Sequence, residues 1–392
     1  MRKIATFLLA AVTYQSISAQ SFIQAYQDRA NMVTQTNIIT NLQEFASLGV
    51  KTTGSQANAN ALTWLKNKYL SYGYSASQMQ EDQFPYGSAT SKNLIITKTG
   101  TVYPNKYVII CGHFDSITGT GVNDNGSGTS IILEAARILK DIPTEYSIKF
   151  IHFSGEEQGL VGSTHYVNNV VYQGSNRVLD IKLVFNLDQV GGVMGNNNNT
   201  VYCDQDLGGL TSNNAASATV TQELRNCTAL YSPLQTAVDP AEDTDYIPFE
   251  QKGEVITGFF ERIRSSYPHT ANDTFANTDP VYIYNIGKAS VGALQHFAVA
   301  TTSALATQET TVKNSLESLR IYPNPVKDII NLQLPDSHIK NFSFEITDFA
   351  GRSIFTTKNE TKINVSGLEN GAYIGTLKSG DQTVVRKVLI ER

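Results

Sequence analysis

Two histidines and several carboxylates follow apolar runs in this 392-residue chain, several of them beside glycines. The run Tyr107–Cys111 ends in Gly112-His113-Phe114-Asp115-Ser116, and Asn123-Asp124-Asn125-Gly126-Ser127-Gly128 follows shortly after. Ile148–Phe153 ends in Ser154-Gly155-Glu156-Glu157-Gln158-Gly159, and Lys182–Leu187 leads into Asp188. Tyr267-Pro268-His269-Thr270 comes after the run Val255–Phe260. Imidazole nitrogen and carboxylate oxygen are donors for zinc. Taken singly, each residue has a plainer role. An Asp before a helix caps it, a lone His satisfies a hydrogen bond, and a Glu pair is a solvated charge. Two histidines and four carboxylates at the ends of consecutive strand signals point instead to one metal-binding edge.

The elements that must position them read as alternating strands and helices. Ala59–Tyr72 carries Ala61, Leu62, Leu65, Tyr69 and Tyr72 at helical spacing, and Gly126–Lys140 carries Ile131, Ile132, Ala135, Ile138 and Leu139 on one face. Val281–Ala300 predicts a long closing helix. The four apolar runs read as buried strands. The pattern predicts an α/β fold, a mostly parallel sheet with helices on both faces. In such sheets functional residues gather beyond the C-terminal strand ends.

A formal net charge of −5, with no basic patch, argues against a nucleic-acid partner. Arg2 and Lys3, the apolar run Ile4–Val12 and the small residues ending at Ser18-Ala19 read as a secretory signal cleaved after Ala19. No later run is long enough to span a bilayer. The cysteines are Cys111, Cys203 and Cys227, an odd number without Cys-x-x-Cys spacing. Cys111 reads as a buried hydrophobe, and a Cys203–Cys227 disulfide stays open at this level.

Around Ala300–Ser318 the composition turns to Thr, Ser, Ala, Gln and Glu, the texture of a linker. Beyond it, short runs such as Phe342, Phe344 and Ile346 alternate with polar residues between turn signals. They predict a small all-β sandwich of about 75 residues. The organisation read from sequence is therefore a signal over 1–19, a catalytic domain over 20–307, a linker over 308–317 and the sandwich over 318–392.

The order His-x-Asp, Asn-Asp-Asn-Gly-Ser-Gly, Gly-Glu-Glu-x-Gly, Asn-x-Asp and His-Thr-x-x-Asp-Thr closely resembles the co-catalytic zinc aminopeptidases of the bacterial leucyl aminopeptidase type, over about Asn37–Ala300. The resemblance implies two zinc ions per catalytic domain. It implies His113 and Asp188 as ligands of one, Glu157 and His269 as ligands of the other, and Asp124 as the bridge between them. It implies Glu156 as general base, Asp115 as the carboxylate that holds the His113 imidazole, and Asp273 as a further supporting residue. Two departures stand out. Phe114 replaces a common Tyr, and Asp243-Thr244-Asp245-Tyr246 replaces a common Ser-Asp-His. Neither touches an expected ligand, and the second is expected to alter the pocket around the substrate side chain.

The C-terminal region resembles the sorting domain of type IX secretion substrates, through Ile321-Tyr322-Pro323-Asn324-Pro325, Asp348-Phe349-Ala350-Gly351-Arg352, Gly367–Tyr373 and Lys387–Ile390. This implies export past the outer membrane by that machinery, to a secreted or cell-surface location. The partners expected are peptides with a free N-terminus and the secretion machinery, with no transmembrane span. Three other functions remain open on the same scaffold: a one-zinc glutaminyl-peptide cyclotransferase, a carboxypeptidase or dipeptidase, and a binding protein that has lost its ligands.

Overall fold

The computed structural model describes residues 20–302, 319–334, 339, 341–348, 352–380 and 382–392. The expected signal segment, the linker and the start of the sorting region lie outside these residues. The chain divides into two compact units, Met1–Leu305 and Ala306–Arg392.

The first unit is built on an eight-stranded mixed sheet. Its strands are β1 (Met79–Tyr86), β2 (Ala89–Lys98), β3 (Tyr103–His113), β4 (Tyr146–Phe153), β7 (Asp180–Leu187), β8 (Thr200–Gln205), β9 (Gln235–Pro240) and β10 (Ile256–Glu261). A two-stranded ribbon, β5 (Tyr172–Gln173) with β6 (Asn176–Arg177), stands apart. The order across the sheet is β1-β2-β4-β3-β7-β10-β8-β9. The central strands β4, β3, β7 and β10 run parallel. The β1–β2 hairpin joins one side antiparallel, and β8 joins the other.

Side-chain alternation along the central strands sorts the core onto two faces. Val108 and Ile110 face one cluster with Phe150, Leu183 and Phe185. Ile109 and Cys111 face the other with Ile151, Val184 and Ile256. The first face is covered by α1 (Gln24–Ala30), α2 (Gln35–Ser47), α3 (Gln56–Ser71), α4 (Gly126–Leu139), α6 (Asn214–Tyr231) and α8 (Pro280–Ala298). The second is covered by the short helices α5 (Val161–Tyr166) and α7 (Ile247–Glu250). Helices do lie on both faces, unequally. Cys203 and Cys227 sit in the first cluster as free, buried thiols, and Cys111 is free in the second. Burial pushes all three thiols up, away from the reactive thiolate.

Local chemistry sets the helix starts. The Thr34 and Ser55 side chains accept from Asn37 N and Asn58 N at the starts of α2 and α3. Asp279 caps α8 by accepting from Val281 N and Tyr282 N, with Pro280 in the first turn. The Asn125 side chain accepts from Gly128 N at the start of α4, directly after Asp124. After β3 the chain crosses to β4 on one side, and β7 later adds on the other. The loops beyond β3 and β7 thus part at a topological switch point.

The second unit holds two antiparallel sheets, β11-β12-β15 and β14-β13-β16-β17. Its strands are β11 (Arg320–Tyr322), β12 (Ile329–Gln333), β13 (Ser343–Thr347), β14 (Ser353–Lys358), β15 (Lys362–Asn364), β16 (Gly371–Ser379) and β17 (Gln382–Ile390). Ile330, Leu332 and Ile363 from one sheet share a core with Phe344, Ile346, Leu377 and Val388 from the other. Among the described residues, no helix is long and apolar enough to cross a membrane.

Candidate metal centre

The loops beyond the four central parallel strands meet above the sheet, and each delivers a ligand-type side chain. His113 ends β3 and is fully buried. Its Nε2 lies 3.1 Å from Asp124 Oδ1, 3.4 Å from Asp188 Oδ2 and 3.8 Å from Glu156 Oε2. His269 Nε2 lies 3.1 Å from Asp124 Oδ2 and 2.8 Å from Glu157 Oε2. The donors form two groups, His113-Asp124-Asp188 and Asp124-Glu157-His269, with donor atoms in each within 4.8 Å of one another. Asp124 belongs to both groups, one oxygen toward each imidazole.

Asp115 sits beneath this array, wholly buried. Its Oδ1 is 3.5 Å from His113 Nδ1 and accepts from Glu156 N at 3.3 Å. Its Oδ2 accepts from Glu157 N at 3.4 Å and from the Thr53 hydroxyl at 3.2 Å. One carboxylate therefore orients an imidazole and the backbone carrying both glutamates. Gly155, just before them, has φ +79°, a turn that a side chain resists. Asp273 accepts from Asn123 N at 2.7 Å and Asp124 N at 3.0 Å, which fixes the loop holding the shared carboxylate. His269 has φ +60°, a left-handed conformation uncommon outside glycine and the kind of backbone cost found at functional sites.

The electrostatics are those of an anionic nest. Burial raises the Glu156 carboxyl well above its usual range, with Asp188, Asp245 and Asp115 adding to the shift. Burial and then Asp124 push Glu157 up to about 8, and burial raises Asp188. Burial alone would lower His113, but Asp188 and Glu156 carry it well up. The hydrogen bond to Asp124 brings His269 to about 9. The His113 Nε2 is buried without a well-formed hydrogen bond, although three carboxylates surround it. An unpartnered imidazole nitrogen among crowded oxygens fits metal cations, whose charge relieves that crowding. The nitrogen and oxygen donor set fits zinc.

Every site residue expected from sequence lies in this assembly: His113, Asp115, Asp124, Glu156, Glu157, Asp188, His269 and Asp273. Other side chains, assigned no role at the metals from sequence, stand behind them. The Thr244 hydroxyl donates a short hydrogen bond to Asp188 Oδ2. Asp245 is fully buried, and burial pushes it up to about 8. Tyr246 donates to Asp204 Oδ2 at 3.0 Å. Within Asp243–Tyr246, the segment expected to alter the substrate pocket, Thr244, Asp245 and Tyr246 are buried, and Thr244 supports an expected ligand. Phe114, the other departure, is buried in the main core. Lys51 is wholly buried, with its Nζ donating to Gly49 O at 2.9 Å and Thr120 O at 2.6 Å over the Phe45 ring. It ties down the loop between Asp115 and Asp124, and burial lowers it to about 7.

The sequence pattern of peptidase family M28 matches residues 93–293, just over half of the chain. The chain belongs to peptidase family M28. Residues 320–391 match the secretion system C-terminal sorting domain. Aminopeptidase YwaD of Bacillus subtilis (strain 168) is 43% identical to this M28 chain over 108 residues, 27% of this chain and 23% of that protein. The LapA aminopeptidase of Legionella pneumophila superposes with a TM-score of 0.63 at 19% identity, covering 76% of this chain and 80% of that one. A Macrostomum lignano glutaminyl cyclase superposes at 0.60 with 17% identity, covering 76% of this chain and 97% of that one. At these identities the solved structures speak for the shared fold. The chain spans less than half the length of the curated relatives it matches.

Proposed function

We propose that this M28 chain is a secreted zinc aminopeptidase. The observation that carries the reading is Asp124, shared between two donor groups with Glu156 beside them. His113, Asp188 and Asp124 would hold one zinc, and Glu157, His269 and Asp124 the other. When bound, the ions supply Lewis acidity at the scissile carbonyl and lower the pKa of the attacking water. Glu156 then acts as general base: its carboxylate takes the proton from that water and returns it to the leaving amine. Asp115 keeps the His113 imidazole and the Glu156-Glu157 backbone in register with each other. The substrate class is peptides with a free N-terminus, whose amino group docks beside the acidic donors.

The sorting-domain match supports a secretion role for the C-terminal unit, and we assign it to type IX export to the outside of the cell or its surface. The domain plan that goes with this reading is a signal over 1–19, the catalytic domain over 20–307, a linker over 308–317 and the sorting domain over 318–392.

A matched panel of peptides tests the activity. A peptide with a free N-terminus and an amidated C-terminus is expected to lose residues stepwise from its start, and the N-acetylated version is expected to resist. Stepwise cleavage of a third, N-acetylated peptide with a free C-terminus from that end would make the enzyme a carboxypeptidase. Cyclisation of an N-terminal Gln without hydrolysis would make it a cyclase.

A further inference from the structure

We infer that Glu261, at the end of β10, is a positioning residue that locks the Asp124 and Asp188 loops together and so sets the affinity of the His113–Asp188 metal position. The inference rests on the metal-centre reading above.

Glu261 is fully buried and has no ligand role in that reading. Its carboxylate collects four donors from three separate loops. Asn123 Nδ2 reaches both oxygens, at 3.2 and 3.0 Å. Gln189 Nε2 donates to Oε1 at 2.8 Å, Gly192 N to Oε2 at 2.7 Å and Ser265 N to Oε1 at 2.8 Å. Asn123 immediately precedes Asp124, and Gln189 immediately follows Asp188. Ser265 begins the approach to His269. Burial raises the Glu261 carboxyl, and its four donors oppose that shift.

The knot is closed by a second set of bonds between the same loops. Asn123 Oδ1 accepts from Gly191 N at 2.7 Å. The Ser127 hydroxyl donates to Asn123 O at 2.7 Å and accepts from Val190 N at 3.0 Å. The Gly191 backbone runs so close to Asn123 that a Cβ there would overlap the amide oxygen. Glu261 N also donates to Gln189 O at 2.8 Å. Asp124 and Asp188 lie far apart in sequence, yet their oxygens must converge on His113 Nε2 to within ångströms. Glu261 is bonded to the residue before Asp124 and to the residue after Asp188, and it braces that separation together with the direct Asn123–Gly191 and Ser127–Val190 bonds. A carboxylate suits the position because all four partners are donors. An amide at the same place would turn its NH₂ toward at least one of them and leave it unsatisfied.

The test replaces Glu261 with Gln in the full chain and titrates a zinc chelator against it, reading metal content per chain beside thermal unfolding and kcat. Partners that orient metal ligands typically change metal affinity by about 10–100-fold. Glu261→Gln is expected to release the ion of the His113–Asp188 position at roughly 10–100-fold lower chelator strength while the protein remains folded, with the Glu157–His269 position shifted less, through the shared Asp124. Gln189→Met, which removes a single donor, is expected to shift release in the same direction by less. If Glu261→Gln fails to fold, Gln189→Met decides alone. Folded variants that release both ions as the parent does overturn the inference and leave the metal centre standing. A parent protein that binds no zinc at all overturns the metal-centre reading itself.

Discussion

Replacing Glu156 with Gln is expected to leave the metal content unchanged and to lower kcat by about 10²–10⁴-fold, the usual cost of removing a general base. The amide keeps the shape of the side chain but cannot accept the proton of the attacking water. Glu156 Oε2 stands 3.8 Å from His113 Nε2, beyond the donor groups on either side of Asp124. Its neighbour is placed differently. Glu157 Oε2 is 2.8 Å from His269 Nε2 and belongs to a donor group. Glu157→Ala is therefore expected to lose metal first and activity as a consequence. Metal content and kcat, measured on both variants, separate the roles. If Glu156→Gln sheds an ion and Glu157→Ala keeps both, the two assignments are exchanged.

Stripping the metal is expected to lower the melting temperature of the catalytic unit as well as to abolish turnover. Without cations, the site holds Asp115, Asp124, Glu156, Glu157, Asp188 and Asp245 close together, and burial lifts Glu156, Glu157, Asp188 and Asp245. A ligand that binds only the folded state adds about 4 kcal/mol when its free concentration is a thousand times Kd. For a unit of this size that is a shift of roughly 7 °C per ion. Trp64 is the chain's single tryptophan and packs against the main core of the first unit, so its fluorescence reports that unit's unfolding. Unfolding is compared with and without chelator, and zinc should restore both the midpoint and the activity. Identical midpoints would mean that no ion occupies the site in the folded enzyme.

The parts of this chain that sequence reading captures best are those with a local signature. Strands β3, β4, β7 and β10 are buried on both faces, so Tyr107–Cys111 and its counterparts read as continuous apolar runs. Most of the donor residues sit at or just past the ends of those runs, several of them beside glycines; His269 follows its run by nine residues. The edge elements carry weaker signals. In β1, Met79–Tyr86 mixes charged and apolar residues because one side faces solvent. Helix α6 is rich in Ala, Thr and Ser, and its buried face is lined by Ser217, Thr221 and Thr228 as well as Leu224 and Cys227, which blurs its period. Apart from Asp115 and Asp273, which belong to the motifs, the supporting residues leave no local trace. Glu261 meets Asn123 across 138 positions, Thr244 meets Asp188 across 56, and Thr53 meets Asp115 across 62. Their roles exist only once the sheet has brought distant loops to one edge.

Two ions sharing Asp124 are the core of the proposed activity. The most direct measurement is zinc per chain, by elemental mass spectrometry on the purified active enzyme, set against kcat as zinc is added back to the metal-free form. Two zinc ions per chain are predicted, with full turnover reached only on filling both positions. Full turnover at one zinc per chain, or with none, would contradict it.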